Sequence, residues 1–141
     1  MQDFRKLAIW SRSHVLAVAL HRTTRRMLRS GSRALRTQVI RSAESIVWNI
    51  VEGAGAGSPR EFARFLEISI KSTTELEAQL EMAKDVGAMD IRSWQTHTAE
   101  TVEIRRMICG FRKRVLERDA MQRPQRDSGM RRRRDNGNPS V

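Results

Sequence analysis

The sequence predicts an all-α protein of four helices followed by a disordered basic C-terminal tail. Three observations carry this. Apolar residues recur at steps of three and four through the first 121 residues. Three breaks, at Ser30-Gly31-Ser32, at the Gly-rich stretch from Gly53 to Pro59 and at Gly87, divide them into four segments. From residue 122 onward the only sizeable apolar side chains are one Met and one Val. The expected organisation is a helical domain over residues 1–121 and a tail over residues 122–141.

Residues 3–29 form the first predicted helix. Leu7, Trp10, His14, Ala17 or Val18, His21 and Leu28 share a face, with Asp3 placed to favour the helix start. Arg22, Arg25, Arg26 and Arg29 gather in its last turns. Cations suit a helix C-terminus, but four exceed what capping needs, so they are also a candidate phosphate patch.

The second helix, from about Arg33 to Glu52, is the one around which the chain is organised. Leu35, Val39, Ala43, Ile46 and Ile50 follow steps of four, four, three and four. Ile40, Val47 and Val51 widen the apolar arc, which predicts cover on more than one side. A polar stripe of Gln38, Ser42, Ser45, Asn49 and Glu52 runs along one flank. It serves either hydrogen bonding between packed helices, since buried polar groups are paired, or binding. Glu52 stands where the helix macrodipole disfavours an anion, which predicts a specific partner such as loop amides or an Arg. Trp48 lies roughly opposite the apolar centre, which points to a subunit interface and an oligomer. Gly53 suits the left-handed position that ends a helix.

Ser58, Pro59, Arg60 and Glu61 read as a capping box with Pro at the first helical position. The third helix then runs from Pro59 to about Val86. Phe62, Phe65, Leu66, Ser69, Ser72, Leu76, Leu80 and Ala83 make its buried side, and Glu61, Glu67, Glu75, Glu77, Glu81 and Asp85 an acidic exterior. This acidic helix is expected to pair with the basic first helix, within a subunit or across an interface. The Gly-rich loop before it lacks the Gly-Lys-Ser/Thr ending of a phosphate-cradling loop, so it reads as a helix–helix turn.

The fourth helix runs from near Asp90 to about Met121, capped by Asp90 or Ser93. Ile104, Ile108, Phe111 and Val115 face inward, while Arg105, Arg106, Arg112, Lys113, Arg114 and Arg118 face outward. Pro124 marks the expected end of order. Residues 122–141 bury too little to offset chain entropy. The run Arg131, Arg132, Arg133 and Arg134 repels itself and stays extended, either as a solvated tail or as a basic arm on RNA or DNA.

The net charge is +11, distributed as +6 over residues 1–30, +1 over 31–57, −2 over 58–89, +2 over 90–121 and +4 beyond. Arg far outnumbers Lys, and Arg pairs bidentately with phosphate. The candidate nucleic-acid-binding residues are thus Arg22, Arg25, Arg26, Arg29, Arg105, Arg106, Arg112, Lys113 and Arg131–Arg134. Few aromatics are present to stack bases, which favours shape and phosphate recognition over base readout.

Catalytic chemistry is not indicated. His14 and His21 are seven apart, which is not a chelating spacing, and read as packing histidines; His97 stands alone. Cys109 reads as a small buried hydrophobe. Ser45, Asn49 and Glu52 have no His base near them in sequence. No metal, cofactor or catalytic set is expected. A lone Cys forms no internal disulfide, no apolar run approaches the roughly 20 residues of a membrane span, and the first residues lack a signal-peptide pattern. The expected location is cytoplasmic, with no membrane partner.

Two stretches resemble a known family. The first contains Gln38, Arg41, Ala43, Ser45, Ile46, Asn49, Ile50, Glu52 and Gly53. The second contains Glu61, Phe62, Phe65, Leu66, Ile68, Ser72, Glu75, Leu76 and Glu77. With Phe4, Leu7 and Trp10, the likeness extends over roughly residues 3–118. The chain is similar to the bacterial four-helix-bundle proteins first noted as reading frames inserted in large-subunit ribosomal RNA genes. That family includes the accessory variability protein of diversity-generating retroelements. The resemblance implies an antiparallel up-down four-helix bundle, a homopentamer with a basic surface, and nucleic-acid binding in partnership with a reverse transcriptase. Two departures stand out: a short first loop lacking the Pro and acidic residue often found there, and Ala56 where a basic residue is frequent. The function expected is a non-enzymatic oligomeric nucleic-acid-binding accessory protein; the alternative is a protein-interaction scaffold.

Overall fold

The computed structural model describes residues 2–135 and the side chains of residues 2–123. Among these there are four α-helices and no strand: α1 Ala8–Thr23, α2 Arg33–Ala54, α3 Pro59–Asp85 and α4 Ile91–Asp135. Short 3-10 turns lie at Phe4–Lys6 and Arg25–Leu28.

Cross-helix pairs fix the directions. Going up α2 from Ser45 to Gly53, the partner on α3 moves down from Ser72 to Phe62. Arg60 meets Asp119 while Glu77 meets Arg105, so α3 and α4 are antiparallel. Arg12 meets Glu100 and Arg26 meets Asp90, so α4 also runs against α1. Each helix touches two neighbours, and α1 and α3 lie on a diagonal without contact. The expected pairing of the basic first helix with the acidic third therefore does not form within a subunit. In an up-down bundle consecutive helices are neighbours, so the third stands opposite the first.

The core is built where the α2 periodicity placed it: Val39, Ala43, Ile46 and Ile50 are buried, and Leu66, Leu76, Leu80, Ile104 and Ile108 close over them. Each of these Val, Leu and Ile side chains contributes about 1.5–3 kcal/mol of burial. α1 differs from the expectation. The 3-10 turn and Leu7 precede the helix, and its inner face is Ile9, Ser13, Leu16, Ala17 and Leu20. His14 and His21 are exposed. Amphipathic Trp and His had suggested the face, but the buried positions include the small residues Ser13 and Ala17. Ser13 remains satisfied by donating to the Ile9 carbonyl at 2.6 Å.

Gly53 also differs. It lies inside α2, its φ is not positive, and its lack of a side chain admits the Phe62 ring. The left-handed turn glycines are Gly31 and Gly87, with φ of 78° and 75°. At Gly87 the Ala88 amide donates to the Ala83 carbonyl at 2.8 Å, and the Gly87 amide to the Lys84 carbonyl at 3.0 Å, closing the α3 end. At the α3 start, Ser58 Oγ accepts from the Glu61 amide at 3.2 Å and Pro59 takes the first turn, which is the N-cap half of the expected capping box.

The α4 backbone continues to Asp135, beyond the expected boundary at 121 and past Pro124. The lack of apolar groups bears on packing, whereas Arg, Gln and Met retain local helix propensity. The side chains from 124 onward, including Arg131–Arg134, lie outside the described residues.

Candidate nucleic-acid interface

Among the described residues, the α1–α2 turn gathers a dense cationic surface. Met27 is buried and anchors the 3-10 turn, so Arg25, Arg26 and Arg29 point outward on either side of it. The helix end leaves carbonyls without intrahelical donors. Arg36, one turn into α2, supplies two: its Nε donates to the Thr24 carbonyl and its Nη2 to the His21 carbonyl, both at 3.2 Å. Arg33 Nη2 reaches the Leu28 carbonyl at 3.4 Å. Arg25, Arg26, Leu28, Arg29 and Arg36 line a surface groove of about 560 Å³.

One carboxylate borders this cluster closely. Asp90 caps α4, accepting from the Ser93 amide at 2.8 Å and the Ser93 hydroxyl at 3.0 Å. Arg26 Nη2 lies 3.3 Å from Asp90 Oδ2. The Ser93 hydrogen bonds, with Arg26 adding to them, hold the Asp90 carboxyl below its ordinary pKa.

The predicted cationic set is divided. Arg22, Arg25, Arg26 and Arg29 are exposed at the turn. Arg105 instead binds Glu77 at 2.6 Å. Arg112 Nε donates to the Ala63 carbonyl at 3.0 Å, and its Nη2 lies 3.6 Å from Glu67. These two cations tie α4 to the acidic α3 rather than facing solvent. Arg106 is exposed, 3.9 Å from Glu103, and Lys113 is exposed. Arg112 stands 22 residues beyond Asp90, about 33 Å along α4 at the helical rise, so Arg112 and Lys113 do not extend the turn cluster. Sequence reading missed Arg33 and Arg36. Their signal was present: both lie within five residues of Gly31, so the break folds them back beside Arg25–Arg29.

The polar stripe is divided too. Asn49 Nδ2 donates to Ser45 Oγ at 3.2 Å, and Ser45 lies 2.8 Å from Ser72, whose own hydroxyl donates to the Ile68 carbonyl at 3.1 Å. Ser45 is therefore the donor to Ser72. Ser69 Oγ adds a bond to the Ile46 carbonyl at 2.9 Å. These serines join α2 to α3. Gln38 and Glu52 are exposed. Glu52 makes no side-chain hydrogen bond or ion pair with the described residues. α2 continues two residues past it, and solvent screens its charge.

The histidines serve the scaffold. His14 stacks on Trp10 with ring centroids 4.9 Å apart. His21 Nε2 lies 2.8 Å from Glu44 Oε1. Buried His97 Nε2 lies 3.0 Å from Thr23 Oγ1. That hydroxyl donates to the Ala19 carbonyl at 2.9 Å, so His97 Nε2 is the donor. Burial pushes its pKa down, partly opposed by Asp90. Cys109 is exposed rather than buried; it follows inward Ile108, and one residue turns the helix about 100°. Among the described residues no group of His, Cys, Asp or Glu is arranged to hold a metal ion, and no helix is long and apolar enough to cross a membrane. A smaller cleft of about 230 Å³, lined by Gly53, Ser58, Phe62, Arg118 and Asp119, lies at the other end. Its carboxylate is engaged by Arg60 at 3.6 Å and Arg123 at 3.3 Å.

Comparison with known proteins gives two findings. The model of a family described as 23S rRNA-intervening sequence protein matches residues 5–110. Among solved structures, one similar chain is a protein of unknown function from the S23 ribosomal protein family of Bacteroides thetaiotaomicron. It has a TM-score of 0.71 and 23% identity, over 74% of this chain and 95% of that chain. No curated protein matches.

Proposed function

Since the chain belongs to the 23S rRNA-intervening sequence protein family, we propose that it is a non-enzymatic, oligomeric nucleic-acid-binding accessory protein of the cytoplasm. The observation that carries this is the groove formed by Arg25, Arg26, Arg29 and Arg36. Arg36 is held by two backbone carbonyls, so its fork is positioned before a phosphate arrives, and its remaining N–H groups stay available. The ligand is an RNA or DNA backbone, the assembly a homopentamer, and the protein partner a reverse transcriptase of a diversity-generating retroelement.

The test is mass by light scattering with and without a structured 23S ribosomal RNA fragment, at low and high salt. Binding that falls steeply with salt is expected, because each neutralised phosphate releases counterions. Arg25→Glu with Arg29→Glu should abolish it at moderate salt. Unchanged binding in that double variant overturns the assigned surface.

A second reading, a protein-interaction scaffold, is favoured by Met82 and Val86. They are 55% and 59% exposed one turn apart at the end of α3. A salt-insensitive protein partner lost on Met82→Ser, together with absence of RNA binding, would select it.

A further inference from the structure

Trp48 is the largest exposed apolar side chain of the bundle, at 59%, and it stands at one end of a second groove. Arg36, Thr37, Ile40, Arg41, Glu44, Ser45, Trp48 and Asn49 line this groove, with about 570 Å³ of space. Arg36 lines both it and the arginine groove at the turn. One path therefore runs from Arg29 and Arg25 past Arg36, along the outer face of α2 by Arg41, to the indole. At the helical rise, Arg41 lies about 7 Å beyond Arg36, and Trp48 about 10 Å beyond Arg41. Arg41 is exposed and makes no ion pair with the described residues. The carboxylate in the path, Glu44, is drawn toward α1 by His21 at 2.8 Å.

We infer that this path takes a single-stranded or unpaired stretch of nucleic acid, with its phosphates on Arg36 and Arg41 and a base stacked on Trp48. The inference rests on the nucleic-acid-binding proposal above and names its substrate class. Row upon row of arginine alone would suit a duplex as well as a strand. A cationic track ending in an exposed π-face suits a strand, because an indole stacks any base that is free of its partner, whatever its identity. The sequence expectation of a subunit interface at Trp48 competes with this reading, and the experiment below separates the two; the exposed indole at the end of the arginine track is what favours a base. Indole stacking also fits the small aromatic content, since one platform suffices to select unpaired nucleotides without reading sequence.

The experiment compares a short oligouridylate with a blunt-ended RNA duplex, using the full chain and three variants. Trp48→Leu keeps apolar bulk but has no π-face, and should weaken oligouridylate binding by about tenfold or more while leaving the duplex unaffected. Trp48→Phe should retain most of the strand affinity. Arg41→Gln should weaken both ligands and reduce the salt slope by about one. Equal strand affinity in wild type and Trp48→Leu overturns the inference while leaving the nucleic-acid proposal standing. A Trp48→Leu protein of lower oligomeric mass but unchanged affinity per subunit also overturns it, and makes Trp48 a subunit contact. Wild-type protein that binds neither ligand overturns both.

Discussion

Gly53 of α2 sits so close to Phe62 of α3 that a Cβ on the glycine would stand 2.5 Å from Cδ2 of the ring. This contact sets the spacing of the two helices beside their connecting loop. Gly53→Ala should therefore destabilise the bundle by about 1–3 kcal/mol, the usual cost of overpacking. At Gly57 in the same loop a Cβ would meet nothing within 4 Å, so Gly57→Ala should be close to neutral. Urea midpoints of the two variants check this pair.

The α2–α3 seam should respond to loss of its hydroxyls. Ser45→Ala removes the donor to Ser72 and one of two acceptors for Asn49, whose bond to the Ser45 carbonyl at 2.8 Å remains, and should cost about 0.5–1.5 kcal/mol. Gln38→Ala and Glu52→Ala, on the exposed ends of the same stripe, should leave the thermal midpoint within experimental scatter.

Arg112 and Lys113 are neighbours in sequence with opposite roles. Arg112→Ala should lower stability by about 1 kcal/mol through loss of the hydrogen bond to the Ala63 carbonyl. Lys113→Ala should leave the urea midpoint unchanged. Equal stability loss in both would contradict the assignment of Arg112 to the α3–α4 seam.

The pH dependence has a definite sign. His97 has a folded pKa below its ordinary 6.5 because it is buried. Between the two values the unfolded chain binds a proton that the folded chain does not, so stability falls as pH drops through 6.5. Unfolding midpoints at pH 7.5 and 5.5 should differ more in wild type than in His97→Gln, whose amide can still donate to Thr23. Asp90 and Glu100 have folded values lowered below their ordinary 3.8 and 4.5. Their stabilisation is lost only at more acidic pH, outside this window.

The α2 face, the α3 face and the caps at Ser58 and Asp90 were legible because they depend on local spacing and local hydrogen bonds. Val39, Ala43, Ile46 and Ile50 could face only one way. The inner face of α1 was not legible. Trp10, His14 and His21 are apolar enough to suggest a core, and only the packed bundle shows that Ile9, Ser13, Leu16, Ala17 and Leu20 are the buried positions instead. Arg105 and Arg112 carried no sign in their own segment that Glu77 and the Ala63 carbonyl would claim them. Those partners lie on α3, brought near by the fold alone. For the same reason the turn cluster was half seen: Arg25, Arg26 and Arg29 were plain, while Arg36 required the chain to double back.

The diagonal placement of α1 and α3 has an electrical consequence. Residues 1–30 carry +6 and residues 58–89 carry −2. Side by side the −2 would offset only part of the +6; at opposite corners the two give the subunit a transverse dipole. The field of any polyanion then exerts a torque that turns α1 forward and α3 to the rear before contact is made. On the proposed function, a single subunit would make its first encounter through α1.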